Sequence, residues 1–305
     1  MTRPRVRASF LLAAGLWIST VVPPAAQRSA RERSLYVSVV DQEGTPVPDL
    51  APTDVIVKED NLTREVLRVA PADEPMQIAV LVDTSAAASE QIAHIRQALP
   101  PFAEELTKPN AAGRKNEMAI VGIGERPTIL SEYSTDPRQV KKGIDRIWSL
   151  QNSGMYLLDA IIEVTQGLKK REAPRPVIVA IATSGQEFSN RHHDQTIDPM
   201  KATGTAFYAL SLGQPDTSLR TESRERAIVL DEGTRVTGGY QEQLLTAMSL
   251  QPKLKQLANQ LTHQYRVTYA RPESLIPPEK ITVSAAKAGL VARGTPVKES
   301  ESVRP

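Results

Sequence analysis

The stretch MQIAVLVDTSAAASE, residues 76–90, decides the fold. Its opening is an almost continuous apolar run, which reads as a strand covered on both faces rather than one alternating toward solvent. The run drives into Asp83, Thr84 and Ser85 and then into three alanines, where a working polar site would want another hydroxyl. A helical stripe follows, carried by Ile92, Ile95, Leu99, Phe102 and Leu106. Pro100 and Pro101 lie within that stripe and predict a kink or a break.

Downstream the strand-then-helix pattern repeats. EMAIVGIG (117–124) is a second buried strand, and PTILSEY (127–133) reads as an edge strand beside it. Thr135 or Asp136 is placed to cap a helix that starts at Pro137 and runs through Val140, Ile144, Ile147 and Leu150. A further helix is expected from near Gly154 to Lys170, then strands PVIVAIAT (176–183) and TAFYALSL (205–212). ERAIVLDEGTRVTGGYQ predicts a short helix, a glycine stop and a last strand ending near Tyr240. Pro252 then opens a helix with Leu254, Leu257, Ala258 and Leu261 on one face. Alternation at this spacing predicts an α/β domain over residues 75–264, a doubly wound, mostly parallel sheet with right-handed crossovers.

Upstream, SLYVSVV, DVIVKED and REVLRVA read as three short strands, too few to bury a core alone. YRVTYA (265–270) and KITVSAA (280–286) supply two more. The economical arrangement is a small β domain built from N-terminal (27–74) and C-terminal (265–292) strands, with the α/β domain inserted between them. Residues 293–305 read as an unanchored tail.

Residues 1–26 read as an export signal: Arg3, Arg5 and Arg7 precede the apolar stretch Ser9 to Val22, and small residues stand before Gln27. An uncleaved anchor is the alternative. Cleavage removes three arginines and no acid, taking the net charge from +2 to about −1. No large field then attracts nucleic acid, and no stable membrane insertion is expected after cleavage. Cysteine is absent, which excludes disulfide staples and a thiol nucleophile. A periplasmic or secreted bacterial protein fits these features.

The order of elements, with VSVVDQEGTPVPDLAPTDVIVKEDN near the start, VTGGY (236–240) and LANQLTHQYRVTYA (257–270), resembles a von Willebrand factor type A domain. More narrowly, it resembles the VWFA-related proteins of Acidobacteria and similar bacteria, although Val55 stands where an aromatic residue is usual. The resemblance implies a metal-ion-dependent adhesion site at the strand ends, made by an Asp-x-Ser-x-Ser loop, a threonine on a second loop and an aspartate on a third. Asp83 and Ser85 match the first two positions, while Ala87, Met155 and Ser184 stand at the other three. A thioether cannot replace oxygen toward Mg²⁺. The site therefore reads as degenerate, with Asp83 serving as a cap at the strand-to-helix turn, and no cofactor is expected.

The leading expectation is thus a non-catalytic exported module that binds a protein partner or acts in assembly. One alternative is a cation-dependent adhesion module holding Mg²⁺ at Asp83 and Ser85 with atoms rebuilt from residues 185–198. That loop carries Glu187, His192, His193, Asp194 and Asp198; adjacent histidines usually point apart, so it reads as an ordinary polar loop rather than a Zn²⁺ site. A third reading, an unrecognised hydrolase, lacks a G-x-S-x-G elbow, and GIGERP (122–127) lacks the spacing and lysine of a phosphate loop. The residues expected to form a partner rim are Met155, Tyr156, Glu187, Phe188, His192 and His193, with packing beneath the 185–198 loop as the bland alternative for Met155 and Tyr156.

Overall fold

A computed structural model describes residues 30–215, 219–272, 276 and 278–298. Residues 1–26, expected to be an export signal, and the end of the expected tail lie outside the described residues. In chain order the strands are β1 (Ala30–Val40), β2 (Val55–Glu59), β3 (Leu62–Arg64), β4 (Val66–Pro71), β5 (Met76–Val82), β6 (Glu117–Gly122), β7 (Thr128–Ser134), β8 (Arg175–Thr183), β9 (Ala206–Leu212), β10 (Gln241–Leu244), β11 (Tyr265–Pro272), β12 (Ile281–Ala285) and β13 (Val291–Pro296). The helices are α1 (Ile92–Leu106), α2 (Pro137–Ile144), α3 (Leu157–Lys170), α4 (Asp194–Thr203), α5 (Thr221–Ile228), α6 (Thr234–Val236) and α7 (Leu250–Thr262).

The central sheet runs β10-β9-β8-β5-β6-β7, parallel except for the antiparallel edge strand β7. Its inner strands are largely apolar because both faces are covered: all nine residues of β8 are buried. The period-two geometry of a strand divides them between two cores. Ile78, Val80 and Val82 pack with Ile95, Leu99 and Phe102 of α1 and Leu254, Leu257 and Leu261 of α7. Leu81, Ile178 and Ala180 pack on the other face with Leu158 and Ile161 of α3 and Met200 of α4. Strand order reverses between β5 and β8, so the carboxyl ends of these two strands flank the crevice where an open α/β sheet places its ligands.

The two ends of the chain form a smaller β unit of two sheets, β13-β1-β11-β4 and β12-β2-β3, around Leu35, Val37, Val57, Val267 and Tyr269. Arg175, almost fully buried, ties this unit to the α/β layers. It donates to Leu261 O at 2.8 Å and Gln264 Oε1 at 2.5 Å, and its guanidinium lies 5.0 Å from the centre of the Tyr36 ring.

Several local expectations are corrected. Helix α1 continues unbroken through Pro100 and Pro101. The carbonyls deprived of a donor belong to Arg96 and Gln97, which are not buried, so water can serve them. Helix α2 stops at Ile144, and Ile147 is buried beyond its end. Gly233 does not stop the α5 helix, which passes through a π turn (Val229–Gly233) into α6; the backbone reverses at Gly238, with φ of +84°. The last strand of the large sheet therefore follows Tyr240 instead of ending there. Residues 293–296, expected in a free tail, belong to β13, which pairs antiparallel with β1 and sends Thr295 Oγ1 to Thr237 O at 2.7 Å.

Candidate functional site

Asp83 sits one residue past β5, fully buried, at the reversal of strand order. Its Oδ1 accepts from Ser85 N–H at 2.8 Å, the short side-chain turn that lets a strand break into a helix. Its Oδ2 accepts from Thr183 N–H at 3.2 Å and from the Thr183 hydroxyl. Both oxygens are thus turned to protein donors, and the carboxylate staples the ends of β5 and β8 together. Thr84 works in the other direction: its Oγ1 accepts from Gly124 N–H at 2.8 Å. A Cβ at Gly124 would stand 2.8 Å from Thr84 O, so the glycine of the GIGERP turn serves close packing rather than phosphate binding.

The remaining positions of the adhesion motif point elsewhere. Ala87 is exposed, and Ser184 is exposed with its hydroxyl beside Gly213 at the end of β9. Met155 is fully buried among Leu157, Ile161 and Ala182. Its backbone laces three loops over the strand ends: Met155 N–H donates to Gln186 O at 2.9 Å, Phe188 N–H to Met155 O at 2.8 Å, and Tyr156 N–H to Ile123 O at 2.8 Å. Arg226, also buried, donates to Gly185 O at 2.5 Å and brings a guanidinium to the third loop. A divalent cation does not fit this donor set. One carboxylate is present and already engaged, a thioether has gone into the core, and a fixed positive charge stands nearby. Ser85 Oγ, buried without a hydrogen-bond partner, is the one atom that a cation would suit.

Glu187, expected on the partner rim, is buried instead. Its Oε1 accepts from Ser189 N–H at 3.0 Å and its Oε2 from Leu157 N–H at 3.4 Å, while Ser189 Oγ accepts from Asp159 N–H at 3.1 Å. The loop thereby caps α3 from outside, satisfying first-turn donors that Tyr156, with no side-chain cap bond, leaves open. Burial pushes the Glu187 carboxyl from 4.5 up to about 6; hydrogen bonds from Ser189, the Arg226 charge and the Leu157 N–H pull less strongly the other way. Because the folded value is raised, the stabilisation is complete below the unfolded value and is lost as pH rises through about 6. The wild-type chain should therefore lose up to about 2 kcal/mol of stability between pH 4.5 and 7 relative to Glu187→Gln. Urea midpoints of both proteins across that range check this; equal slopes would contradict it.

Above these buried groups lies an apolar surface. Phe188, 45% exposed, stacks on Tyr156 with ring centroids 6.1 Å apart and covers Gly154 so closely that a Cβ there would meet the ring at 1.9 Å. Leu150, 40% exposed, is held by its N–H to Thr84 O at 2.8 Å, and Ala86 N–H reaches Ser153 O at 3.4 Å. Of the expected rim, Phe188 and Tyr156 thus reach the surface while Met155 and Glu187 do not.

The two histidines come together rather than apart, with ring centroids 4.0 Å from each other. Among the described residues, His192, His193 and Glu225 bring one metal-ligating atom each to within 4.8 Å of one another. Glu225 belongs to α5 and accepts from both the ring and the backbone N–H of His193. Burial alone would raise its carboxyl, but those bonds and the imidazole charges hold it below the usual range. Asp198 lies exposed on α4, outside this cluster. Sequence reasoning missed Thr183, Glu225 and Arg226. Thr183 was recoverable as the last residue of a buried strand, whereas the other two carry no local signal.

No family model and no curated protein matches the sequence. Solved structures do. A von Willebrand factor type A protein from Catenulispora acidiphila is 11% identical over 88% of this chain and 73% of its own, with a TM-score of 0.51. The proximal thread matrix protein 1 of the mussel byssus is 11% identical over 70% of this chain, with a TM-score of 0.48; this chain spans 50% of that protein's length. The hypothetical protein BatB from Bacteroides thetaiotaomicron is 10% identical over 61% of this chain and 98% of its own, with a TM-score of 0.44. At such identities the likeness speaks for architecture, and with the sheet order above it establishes a von Willebrand factor A-like fold accompanied by a small β unit made from the two ends of the chain.

Proposed function

We propose that this chain is a non-catalytic, exported protein-binding or assembly module that docks its partner on a cation-free rim. The observation that carries the reading is the engagement of both Asp83 oxygens by Ser85 and Thr183, which gives the residue a structural task in place of an adhesion metal. The surface over it, Phe188, Tyr156, Leu150 and Ala87, is apolar at the place where the motif would have presented a charge. An exposed apolar patch over strand ends suits a protein partner. Likeness to VWFA-related proteins of Acidobacteria rests on the ordered phrases of the sequence, and placement in the periplasm or outside the cell rests on the signal-like segment 1–26. No helix among the described residues is long and apolar enough to cross a membrane.

The test is calorimetric titration of the chelator-stripped chain with Mg²⁺, Mn²⁺ and Ca²⁺, paired with capture of the partner from an extracytoplasmic fraction. The expected result is no saturable heat with any of the three cations, capture unchanged by EDTA, and capture lost in Phe188→Asp. Saturable binding that Asp83→Ala abolishes would instead favour the cation-dependent reading, for which the unpartnered Ser85 Oγ is the supporting observation.

A further inference from the structure

The polar cluster at the start of α4 is unlike an ordinary loop. His192 and His193 lie between two carboxylates on opposite sides. Toward α5, His193 Nδ1 is 2.7 Å and His192 Nε2 is 3.9 Å from the same oxygen, Glu225 Oε2. Toward solvent, His192 Nδ1 is 3.1 Å from Asp194 Oδ2 and His193 Nε2 is 3.4 Å from Asp194 Oδ1. Each imidazole therefore presents one nitrogen to Glu225 and the other to Asp194.

That arrangement has a specific chemical consequence. A neutral imidazole that donates its N–H to a carboxylate keeps a lone pair on its other nitrogen, and metal-binding histidines are usually oriented in this way. Once the proton that His193 Nδ1 gives to Glu225 is displaced and each ring turns its other N–H toward Asp194, His192 Nε2 and His193 Nδ1 both present lone pairs on the side of Glu225. Around a tetrahedral ion at ~2.0–2.1 Å from nitrogen and oxygen, ligand atoms stand roughly 3.3 Å apart. The observed 2.7 and 3.9 Å bracket that spacing, so displacing the His193–Glu225 proton and a small shift of the exposed His192 ring would complete it.

We infer that His192, His193 and Glu225 form a binding site for a Zn²⁺-class transition ion, with Asp194 as the carboxylate that orients both imidazoles and with one position open to water. Two imidazoles and a carboxylate favour Zn²⁺, Cu²⁺ or Ni²⁺ over Mg²⁺ or Ca²⁺, which take all-oxygen sets. The site is separate from Asp83 and does not depend on the proposed docking rim. Its ligands join the loop after β8 to α5, so a bound ion would fasten the same loop that caps α3 through Glu187 and Ser189.

Titration of the tag-free full chain with Zn²⁺, with Mg²⁺ as the control, tests this. One equivalent of Zn²⁺ should bind per chain, and Co²⁺ should give the visible absorption of a tetrahedral or five-coordinate site. His192→Gln, at an exposed side chain that does not endanger the fold, should remove saturable binding. Asp194→Asn should weaken it by about 10–100-fold without changing the stoichiometry, as loss of an orienting partner does. Asp83→Asn should leave Zn²⁺ binding intact. Absence of saturable Zn²⁺ binding, or binding unchanged in His192→Gln, would overturn the assignment.

Discussion

Asp83→Ala should lower the stability of the chain by about 3 kcal/mol, with or without Mg²⁺ present. The substitution leaves Ser85 N–H, Thr183 N–H and the Thr183 hydroxyl without their acceptor in surroundings almost closed to water. Each orphaned donor costs about 1–3 kcal/mol, and loss of the buried carboxylate's own desolvation penalty offsets part of the sum. Asp83→Asn retains an acceptor for Ser85 but turns a donor toward Thr183, so about 1–2 kcal/mol is expected. Urea unfolding with an unchanged slope is the measurement. The cation reading predicts the opposite dependence: a carboxylate held ready for a metal is a liability without it, so the alanine variant would equal or exceed wild type in chelator. An alanine variant as stable as wild type would therefore remove the structural account of Asp83.

The legible parts of this molecule are those where one residue's environment is set by its neighbours in sequence. Ile78, Val80 and Val82 announce a strand buried on both faces, and Asp83 marks its end, because an apolar run cannot turn without polar groups to receive the freed N–H bonds. The Pro137 helix start, with Asp136 accepting from Arg138 N–H at 3.0 Å, is equally local. Strand β13 is not: VARGTP has no apolar alternation of its own, and it is a strand because β1 offers it an open edge. Strand β10, QEQL, is polar for the same reason, since it lies at the margin of the large sheet.

The site divides along the same line. That three motif positions had changed was visible from residue identity alone. What replaced them was not, because Asp83 and Thr183 meet across 100 residues of chain and Glu225 reaches His193 across 32. The expectation that neighbouring histidines point apart assumes that nothing gathers them. Here the chain turns into α4 at His193, and two carboxylates, one from another helix, hold both rings.

The second large effect separates a site that has lost ligands from one that has been rebuilt as core. Met155→Thr, which restores the motif residue, should destabilise the chain by about 2–4 kcal/mol. Met155 is fully enclosed with Leu157, Ile161 and Ala182, so truncation opens a cavity and places a hydroxyl against apolar neighbours. If the site were merely short of ligands, the triple variant Ala87→Ser, Met155→Thr, Ser184→Asp would regain saturable Mg²⁺ binding, and added Mg²⁺ would restore its stability. The expected result is neither, measured by calorimetry and by urea midpoints with and without the cation. Thr183 occupies one oxygen of Asp83, Ser184 stands exposed beside β9, and the Met155 backbone fixes the second loop against Gln186 and Phe188. Restored side chains would thus enter a framework whose hydrogen bonds already close over the cation position, and binding there would require breaking those bonds first.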